Sequence, residues 1–189
     1  YLLHRTYAVQ AGDTILVHAA AGGMGLILCQ WAKALGAKVV GTVSTHEKAE
    51  VARAAGCHYP VVRSEKSFVD VVREVTDGEG CAVVYEAIGK DTLQHSLDSL
   101  RPMGVCAAYG HVSGRPDPVD IIQDLGRRGS LFITRPAIMH YVAKRADLEW
   151  TARDLFKAIG DGLLEANINY EYALKDAVKA HATIDKGKT

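Results

Sequence analysis

The sequence predicts a doubly wound α/β fold, in which helices cover both faces of a parallel β-sheet. Short apolar runs rich in β-branched residues alternate with helical patterns along the whole chain. These runs have few polar positions, as expected of parallel strands that are buried beneath two helical layers. The first run passes through a string of alanines and glycines directly into a helical pattern. Together these observations predict successive βαβ units in one domain over residues 1–189.

The strands are recognised as apolar, β-branched segments between turn-forming residues. The first follows the turn Gly12-Asp13, and the fourth ends in a carboxylate, Glu86. A seventh segment is weaker than the others. In chain order we expect strands over residues 14–18, 38–43, 59–62, 82–86, 105–109, 130–134 and, weakly, 168–172.

Helices are predicted between these strands from the spacing of apolar residues and from capping signals. Gly36 and Gly56 mark helix ends, because glycine adopts the backbone conformation that terminates a helix. Ser44 or Thr45 precedes the second helix as an N-cap. In chain order we expect helices over residues 23–35, 46–55, 67–75, 91–100, 121–125, 143–160 and 174–186.

The composition disfavours several classes of protein. With 22 basic and 22 acidic residues among 189, the chain gives no support for a general nucleic-acid or anionic-membrane surface. No apolar run approaches the roughly 20 residues of a membrane helix. The four cysteines lack C-x-x-C spacing, which favours buried free thiols in a reducing cytoplasm. The absence of an initiator Met and of a leader predicts a piece of a longer cytoplasmic protein.

A glycine-rich turn follows the first predicted strand and indicates a dinucleotide site. Compared with G-x-G-x-x-G, it has Ala20 in place of the first glycine, then Gly22 and Gly25. Bare amides at the helix start, together with the positive end of its dipole, would hold a pyrophosphate in a Rossmann-type domain. The alternative is a small-residue turn that serves packing alone. The candidate residues of the turn are Ala20, Ala21, Gly22, Gly23, Met24 and Gly25.

The end of the second strand indicates which dinucleotide is bound. An NAD-binding sheet usually places a carboxylate there for the ribose 2′-hydroxyl, but the first one here is Glu47, inside the next helix. Ser44, Thr45, Lys48 and Arg63 offer hydroxyls and cations that suit a 2′-phosphate. We therefore predict NADPH over NADH. The alternative is that Lys48 and Arg63 are ordinary surface charges.

Several longer stretches resemble one known family. They are VHAAAGGMG at residues 17–25, CQWAKALGA at 29–37, VVYEAIG at 83–89, GSLFITRP at 129–136 and YALKDAVKAH at 172–181. This pattern is similar to the zinc-free quinone oxidoreductases of the medium-chain dehydrogenase/reductase superfamily, which include ζ-crystallin. The last two stretches are the more specific, since a generic dinucleotide fold does not require them.

The resemblance implies NADPH as hydride donor, a quinone as acceptor, no catalytic zinc and a homodimer that pairs through residues 130–134. It also implies an N-terminal, β-rich (GroES-like) catalytic domain and a final apolar strand, both of which we expect to be absent from residues 1–189. We therefore expect the isolated chain to be inactive. Ser44, Lys48 and Arg63 match positions of the family's 2′-phosphate contacts, although relatives often have tyrosine where Arg63 stands.

The resemblance also places further cofactor contacts at strand ends. Ala87, Ile88 and Gly89 would flank the adenine side. The ribose and nicotinamide side would be formed by Tyr109, Gly110, His111, Phe132, Ile133 and Thr134. Beyond carboxyl strand ends is also where ligands of open α/β sheets bind.

Function is predicted as NADPH-dependent quinone reduction, with this chain as the cofactor-binding half. Two alternatives stay open: an enoyl or enone reductase of the same superfamily, and a non-catalytic dinucleotide- or RNA-binding module. A zinc alcohol dehydrogenase is disfavoured because the chain has no compact cysteine-rich lobe. We expect no catalytic residue and no metal ligand in this half, because the cofactor carries out hydride transfer. His18 and His111 each follow a strand, and His111 is either a loop residue without function or a hydrogen-bonding group near the nicotinamide. Glu86, at the end of a strand, makes either a structural hydrogen bond or a contact with the ribose.

Overall fold

The computed structural model describes residues 1–168 and 170–185. Over this part of the chain, six strands form one sheet in which every pair of neighbours is parallel. The sheet order is β3-β2-β1-β4-β5-β6, so the chain reverses its direction of winding between β1 and β4. The strands are β1 (Thr14–Val17), β2 (Lys38–Val43), β3 (Tyr59–Val62), β4 (Cys81–Glu86), β5 (Leu100–Ala108) and β6 (Phe132–Thr134).

Helices connect the strands and cover the sheet on both faces, which confirms the doubly wound fold. The α-helices of the described residues are α1 (Gly23–Ala34), α2 (His46–Ala54), α3 (Phe68–Val75), α4 (Leu93–Asp98), α5 (Ile138–Tyr141), α6 (Arg145–Gly160) and α7 (Ala177–Asp185). Two π-helical turns, Leu2–Thr6 and Ile121–Gly126, and a 3₁₀ turn, Leu174–Asp176, complete the elements.

Two hydrophobic cores lie on opposite faces of the sheet. Ile15 and Val17 of β1 point to one face, where Leu28 of α1 packs against them. Leu16 points to the other face and belongs to the core that includes Val72 of α3. Successive strand residues alternate between faces, so a strand buried on both sides needs apolar residues at every position. The sheet is thereby held rigid beneath the loops at its carboxyl edge.

Several predicted element boundaries were wrong. The helix expected over 91–100 ends at Asp98, and β5 begins at Leu100 instead of residue 105 because Leu100 pairs with Cys81. The strand expected over 130–134 is limited to Phe132–Thr134, since Ser130 has a left-handed φ of 58°. The helix expected over 143–160 begins at Arg145 and is preceded by the separate α5. The sequence analysis also missed the turn Leu2–Thr6.

The weak strand expected over 168–172 was also wrong. Residues 168 and 170–172 form no strand, and residue 169 lies outside the described part. Ile168 is 78% exposed and Tyr170 is exposed too, so these apolar side chains are not packed against the sheet as those of a strand would be. The helix expected over 174–186 begins as a 3₁₀ turn and continues as α7; Lys186 lies outside the described residues.

All four cysteines are free and buried, as predicted from their spacing. Burial in apolar surroundings disfavours the thiolate, and it raises the pKa of Cys81 to about 12. The described residues include no helix that is both long enough and apolar enough to span a membrane.

Candidate functional site

The turn after β1 brings the backbone of three segments close together. Ala19 adopts a left-handed φ of 51°, and its carbonyl accepts a hydrogen bond from Gly22 N–H at 2.9 Å. A Cβ placed on Gly25 would lie 2.2 Å from the Ala19 oxygen and 2.7 Å from the Ala20 backbone. Only glycine therefore fits at position 25 while the helix stays this close to the turn.

Helix α1 starts at this turn and presents bare amides. Gly22 is the N-cap residue with an extended backbone, and, for the described residues, no side chain caps the helix. The first turn of an α-helix has no internal acceptor for its N–H groups. The amides of Gly23, Met24 and Gly25 are therefore available to an anion, and the helix dipole favours negative charge there.

A cleft of about 310 Å³ opens beside this turn, at the carboxyl edge of the sheet. The β1 turn, the end of β2, the first turn of α2 and the loops after β3, β4 and β5 contribute to it. Its lining residues are Ala19, Ala21, Gly22, Thr42, Val43, Ser44, Lys48, Arg63, Ile88 and Val112. Six of them are residues that the sequence analysis selected.

Two cations and a hydroxyl gather at one side of the cleft. Ser44 follows β2, Lys48 lies in the first turn of α2, and Arg63 follows β3. The Arg63 N–H donates to the Val43 carbonyl at 3.1 Å, which ties the β3 end to the β2 end. Among the described residues that line the cleft there is no aspartate or glutamate. This side of the cleft therefore favours a phosphate over a bare ribose hydroxyl pair.

Thr45, in contrast, is used to cap α2. Its hydroxyl oxygen accepts from the Lys48 N–H at 3.3 Å and interacts with the Glu47 carboxylate, which lowers the pKa of Glu47. Ala20, which is fully buried, lies behind the turn: a Cβ on Gly41 would be 2.7 Å from the Ala20 Cβ. Neither of them lines the cleft, so their geometry supports the site indirectly.

The loops after β4 and β5 form the other side of the site. Gly110 N–H donates to the Glu86 carbonyl at 3.1 Å, and Val112 N–H donates to the Ala87 carbonyl at 3.2 Å. A Cβ on Gly110 would lie 2.6 Å from the Ala87 oxygen, so this contact also needs a glycine. The structure thus brings Ala87, Gly110 and Val112 together beside the cleft.

The remaining predicted residues do not line this cleft. Tyr109 is half-buried, and its pKa is raised by desolvation. His111 Nδ1 lies 3.5 Å from the guanidinium of Arg135, which also donates to the Ala108 carbonyl at 3.0 Å. Phe132 of β6 is 61% exposed. Thirteen residues that the sequence analysis predicted as cofactor contacts lie outside the lining of this cleft: Ala20, Gly23, Met24, Gly25, Thr45, Ala87, Gly89, Tyr109, Gly110, His111, Phe132, Ile133 and Thr134.

A buried polar network lies directly beneath the cleft. His18 Nδ1 is 2.9 Å from Thr42 Oγ1, and His18 Nε2 is 2.9 Å from Ser96 Oγ. Ser96 donates to Glu86, whose other oxygen accepts from the Ile88 N–H at 2.6 Å. All these side chains except Ile88 are at most 1% exposed. The structural hydrogen bond considered for Glu86 is thus confirmed, whereas no pattern in the sequence indicates that His18 is its neighbour.

Burial keeps His18 neutral. Desolvation lowers the pKa of His18, the nearby Glu86 carboxylate opposes this shift, and the positive charge of Arg63 adds to it, so that the pKa is about 4. Its ring also makes an edge contact with Phe68, with ring centroids 4.9 Å apart. The imidazole of His18 is therefore neutral over the physiological pH range.

The described residues contain no cluster of three or more His, Cys, Asp or Glu side chains that could hold a metal ion. The side-chain donors that line the cleft are the hydroxyls of Thr42 and Ser44 and the cations of Lys48 and Arg63. Such donors suit an anionic ligand.

Known proteins share both the sequence and the fold. The family of zinc-binding dehydrogenases matches residues 23–149. A 2-haloacrylate reductase from a Burkholderia species is 55% identical over 181 residues, which are 96% of this chain and 54% of that protein. A quinone oxidoreductase from Salmonella typhimurium is 42% identical over 191 aligned positions, covering 100% of this chain and 58% of that protein.

Solved structures agree with these matches. The crystal structure of Escherichia coli quinone oxidoreductase complexed with NADPH superposes with a TM-score of 0.94 at 40% identity, covering 100% of this chain and 58% of that one. The chain spans little more than half the length of the relatives it matches. It belongs to the zinc-binding dehydrogenase family and corresponds to the cofactor-binding half of a medium-chain dehydrogenase/reductase.

Proposed function

We propose that this chain binds NADPH in the cleft beside the β1 turn and forms the cofactor half of an NADPH-dependent reductase. One observation carries the proposal: the N-cap of α1, Gly22, lines the same cleft as Ser44, Lys48 and Arg63, so the bare amides of the helix start adjoin a cationic pocket at the carboxyl edge of the sheet. The amides suit the pyrophosphate, while Ser44, Lys48 and Arg63 suit the 2′-phosphate. The E. coli relative crystallised with NADPH supports this assignment.

The residues of this chain would bind and orient the dinucleotide. The turn and α1 would hold the pyrophosphate, and Ile88 with Val112 would pack against the nucleotide from the opposite wall. The loop of Tyr109, Gly110 and His111 leads towards β6 and would face the nicotinamide end, whereas Ala87 would flank the adenine side with Ile88. NADPH, when bound, would supply a hydride; the protein's contribution is binding, orientation and the exclusion of water.

For the acceptor we propose an electron-poor conjugated compound, with a quinone as the first candidate. The quinone oxidoreductases of S. typhimurium and E. coli support a quinone. A second candidate is an acrylate-type alkene conjugated to a carboxylate, which the more similar 2-haloacrylate reductase favours at 55% identity. Both acceptors take a hydride at a carbon conjugated to an oxygen-bearing group, so one cofactor half serves either reaction.

Steady-state kinetics of the full-length protein test this proposal. NADPH oxidation would be followed with 1,4-benzoquinone and with 2-chloroacrylate, and each acceptor would be repeated with NADH. We expect kcat/KM to be about 10-fold or more higher with NADPH than with NADH, because one charge-assisted contact to the 2′-phosphate has an effect of this size. Turnover of 2-chloroacrylate without benzoquinone would assign the second candidate, and equal use of NADH would contradict the 2′-phosphate pocket.

We also propose a homodimer that pairs through β6. This strand is the last in the sheet order, and Phe132 exposes 61% of its surface on it. A free edge with an exposed aromatic residue is otherwise a site of aggregation. Sedimentation of the full-length protein tests the dimer: Phe132→Lys should give a monomer with unchanged helical content, and a monomeric wild type would contradict it.

The compartment we propose is the cytoplasm. Four buried free thiols support a reducing environment. Cell fractionation with an antibody to the full-length protein would test this, and recovery from an extracellular fraction would contradict it.

A further inference from the structure

The buried histidine beneath the cleft connects both of its walls. His18 follows β1 and touches Thr42 at the end of β2, which lines the cleft. Through Ser96 it reaches Glu86, and Glu86 holds the N–H of Ile88, which lines the opposite wall. The same carboxylate oxygen accepts further bonds from Gly89 N–H and Thr92 Oγ1, at 3.1 and 3.0 Å.

The hydrogen-bond partners determine which ring nitrogen of His18 carries the proton. A carboxylate only accepts, so the single hydroxyl proton of Ser96 is used on Glu86. Ser96 Oγ must then accept from His18, which places the proton on Nε2. Nδ1 is left as an acceptor, and Thr42 donates its hydroxyl proton to it. Every bond in the chain from Thr42 to Glu86 therefore runs in one direction.

The β1 turn is fixed by the same residues. The Ala20 N–H donates to the Thr42 carbonyl at 3.0 Å, so a shift of Thr42 moves the turn that carries the bare amides. Of the network side chains, only Thr42 lines the cleft, on the same strand end that Ser44 follows. Through the bond to Ala20, the network supports the turn whose bare amides would contact the pyrophosphate, a group common to NADPH and NADH.

We propose that His18 is a positioning residue for the bound dinucleotide. As a neutral imidazole protonated at Nε2, it holds Thr42 and, through Ser96 and Glu86, Ile88 in the positions that the dinucleotide requires. The inference rests on the proposed function. In this proposal, the fully buried His18 affects the affinity for both dinucleotides. The cationic pocket determines the preference for one over the other.

Fluorescence titration of the full-length protein with NADPH and with NADH tests the proposal. In His18→Leu, which keeps the volume but loses both bonds, we expect both Kd values to rise by about 10-fold while their ratio stays constant. His18→Asn retains an acceptor near the Nδ1 position and should recover part of the affinity. Lys48→Glu is the contrasting variant, because it should change the ratio itself.

A second variant and a control separate positioning from loss of stability. Ser96→Ala removes the link between His18 and Glu86 with a small change in volume, and we expect both Kd values to rise about 3-fold. Leu100→Ala creates a buried cavity at the start of β5, on the opposite edge of the sheet. It should lower the melting temperature without changing either Kd of the folded protein.

The outcomes distinguish the inference from the function on which it rests. If the wild type binds neither dinucleotide, the proposed function fails. If the wild type binds NADPH while folded His18→Leu and Ser96→Ala bind it as tightly, the role of His18 is overturned. A rise in the Kd for NADPH alone would also overturn it, since the network would then act on the 2′-phosphate.

Discussion

The two sides of the candidate site differ in how completely this chain builds them. On the proposed phosphate side, β1 and β2 are buried and α1 begins at a tight turn. The three side chains proposed to bind the 2′-phosphate line one cleft there. On the side of β5 and β6, the loop of His111 and the strand of Phe132 lie outside that cleft, and Phe132 is exposed.

The difference reflects the sequence distance over which each side is built. The phosphate side comes from one βαβ unit and its neighbour, so local packing fixes it. The other side combines segments that are farther apart along the chain, the loop after β5 and the strand β6. Our proposal therefore assigns phosphate recognition to this chain, which spans 54% and 58% of the length of the two relatives.

The largest expected effect comes from breaking the phosphate side at its tightest contact. Gly25→Ala puts a Cβ 2.2 Å from the Ala19 oxygen, so α1 must move away from the turn. We expect the Kd for NADPH to rise by about 100-fold, as displacements of about 1 Å can cause, and the free energy of unfolding to fall by about 1–3 kcal/mol. Calorimetric titration and urea unfolding measure these effects.

The matched control for this glycine is Gly160→Ala in α6, where an added Cβ has no neighbour within 4 Å. It should leave the Kd unchanged and should not destabilise the protein, since alanine favours helix over glycine. Tight binding by a well-folded Gly25→Ala variant would show that the close approach of α1 is unnecessary.

The next effect concerns stability beneath the cleft. The pKa of His18 is lowered from 6.5 to about 4 by burial, so the unfolded chain binds one more proton than the folded one between these values. Stability from His18 is fully present above about pH 6.5 and is lost as the pH falls towards about 4, by up to about 3 kcal/mol.

Urea unfolding across that pH window measures the loss, and His18→Gln should flatten the profile relative to the wild type. His181→Gln, on an exposed part of α7, is the control and should leave the profile unchanged. Identical profiles for wild type and His18→Gln would mean that His18 titrates normally in the folded protein.

A charge reversal in the cationic pocket sharpens the comparison further. Lys48→Glu places a carboxylate where the 2′-phosphate would bind, and we expect the Kd for NADPH to rise by about 30-fold, equivalent to about 2 kcal/mol. NADH should be affected much less. Lys175→Glu makes the same charge change at an exposed position outside the cleft and should alter neither Kd. Equal losses for both dinucleotides would exclude Lys48 from the 2′-phosphate pocket.

The smallest effect is expected at the neutral member of that pocket. Ser44→Ala removes one hydroxyl donor, so we expect the Kd for NADPH to rise about 3-fold, or about 0.7 kcal/mol. The affinity for NADH is the internal control and should not change. A larger loss than that of Lys48→Glu would reverse the order of importance assigned here.

Much of the fold was predictable because local patterns decide it. Ile15, Leu16 and Val17 are apolar at successive positions, which a strand buried on both faces requires. The start of β5 was not predictable in this way, because residues 100–104 include a proline and a glycine and become a strand through pairing with β4. For the segment around Ile168 the prediction failed in the opposite way, because its apolar residues predicted a strand where the structure has none.

The candidate site shows the same limit. Gly22 and Gly25 were recognisable from their spacing, and Lys48 and Arg63 from their position after strands. That the left-handed residue of the turn would be Ala19 could not be read from a run of three alanines. The contact between His18 and Ser96, 78 positions apart, depends on the packing of α4 against the sheet.

The burial of every native thiol gives this protein a practical advantage for spectroscopy. Since all four cysteines are buried and free, a maleimide dye should react selectively with a cysteine introduced on the surface. Val112, at the mouth of the cleft and 84% exposed, is a suitable place for such a label. A dye attached there would report nucleotide arrival in real time without removal of any natural cysteine.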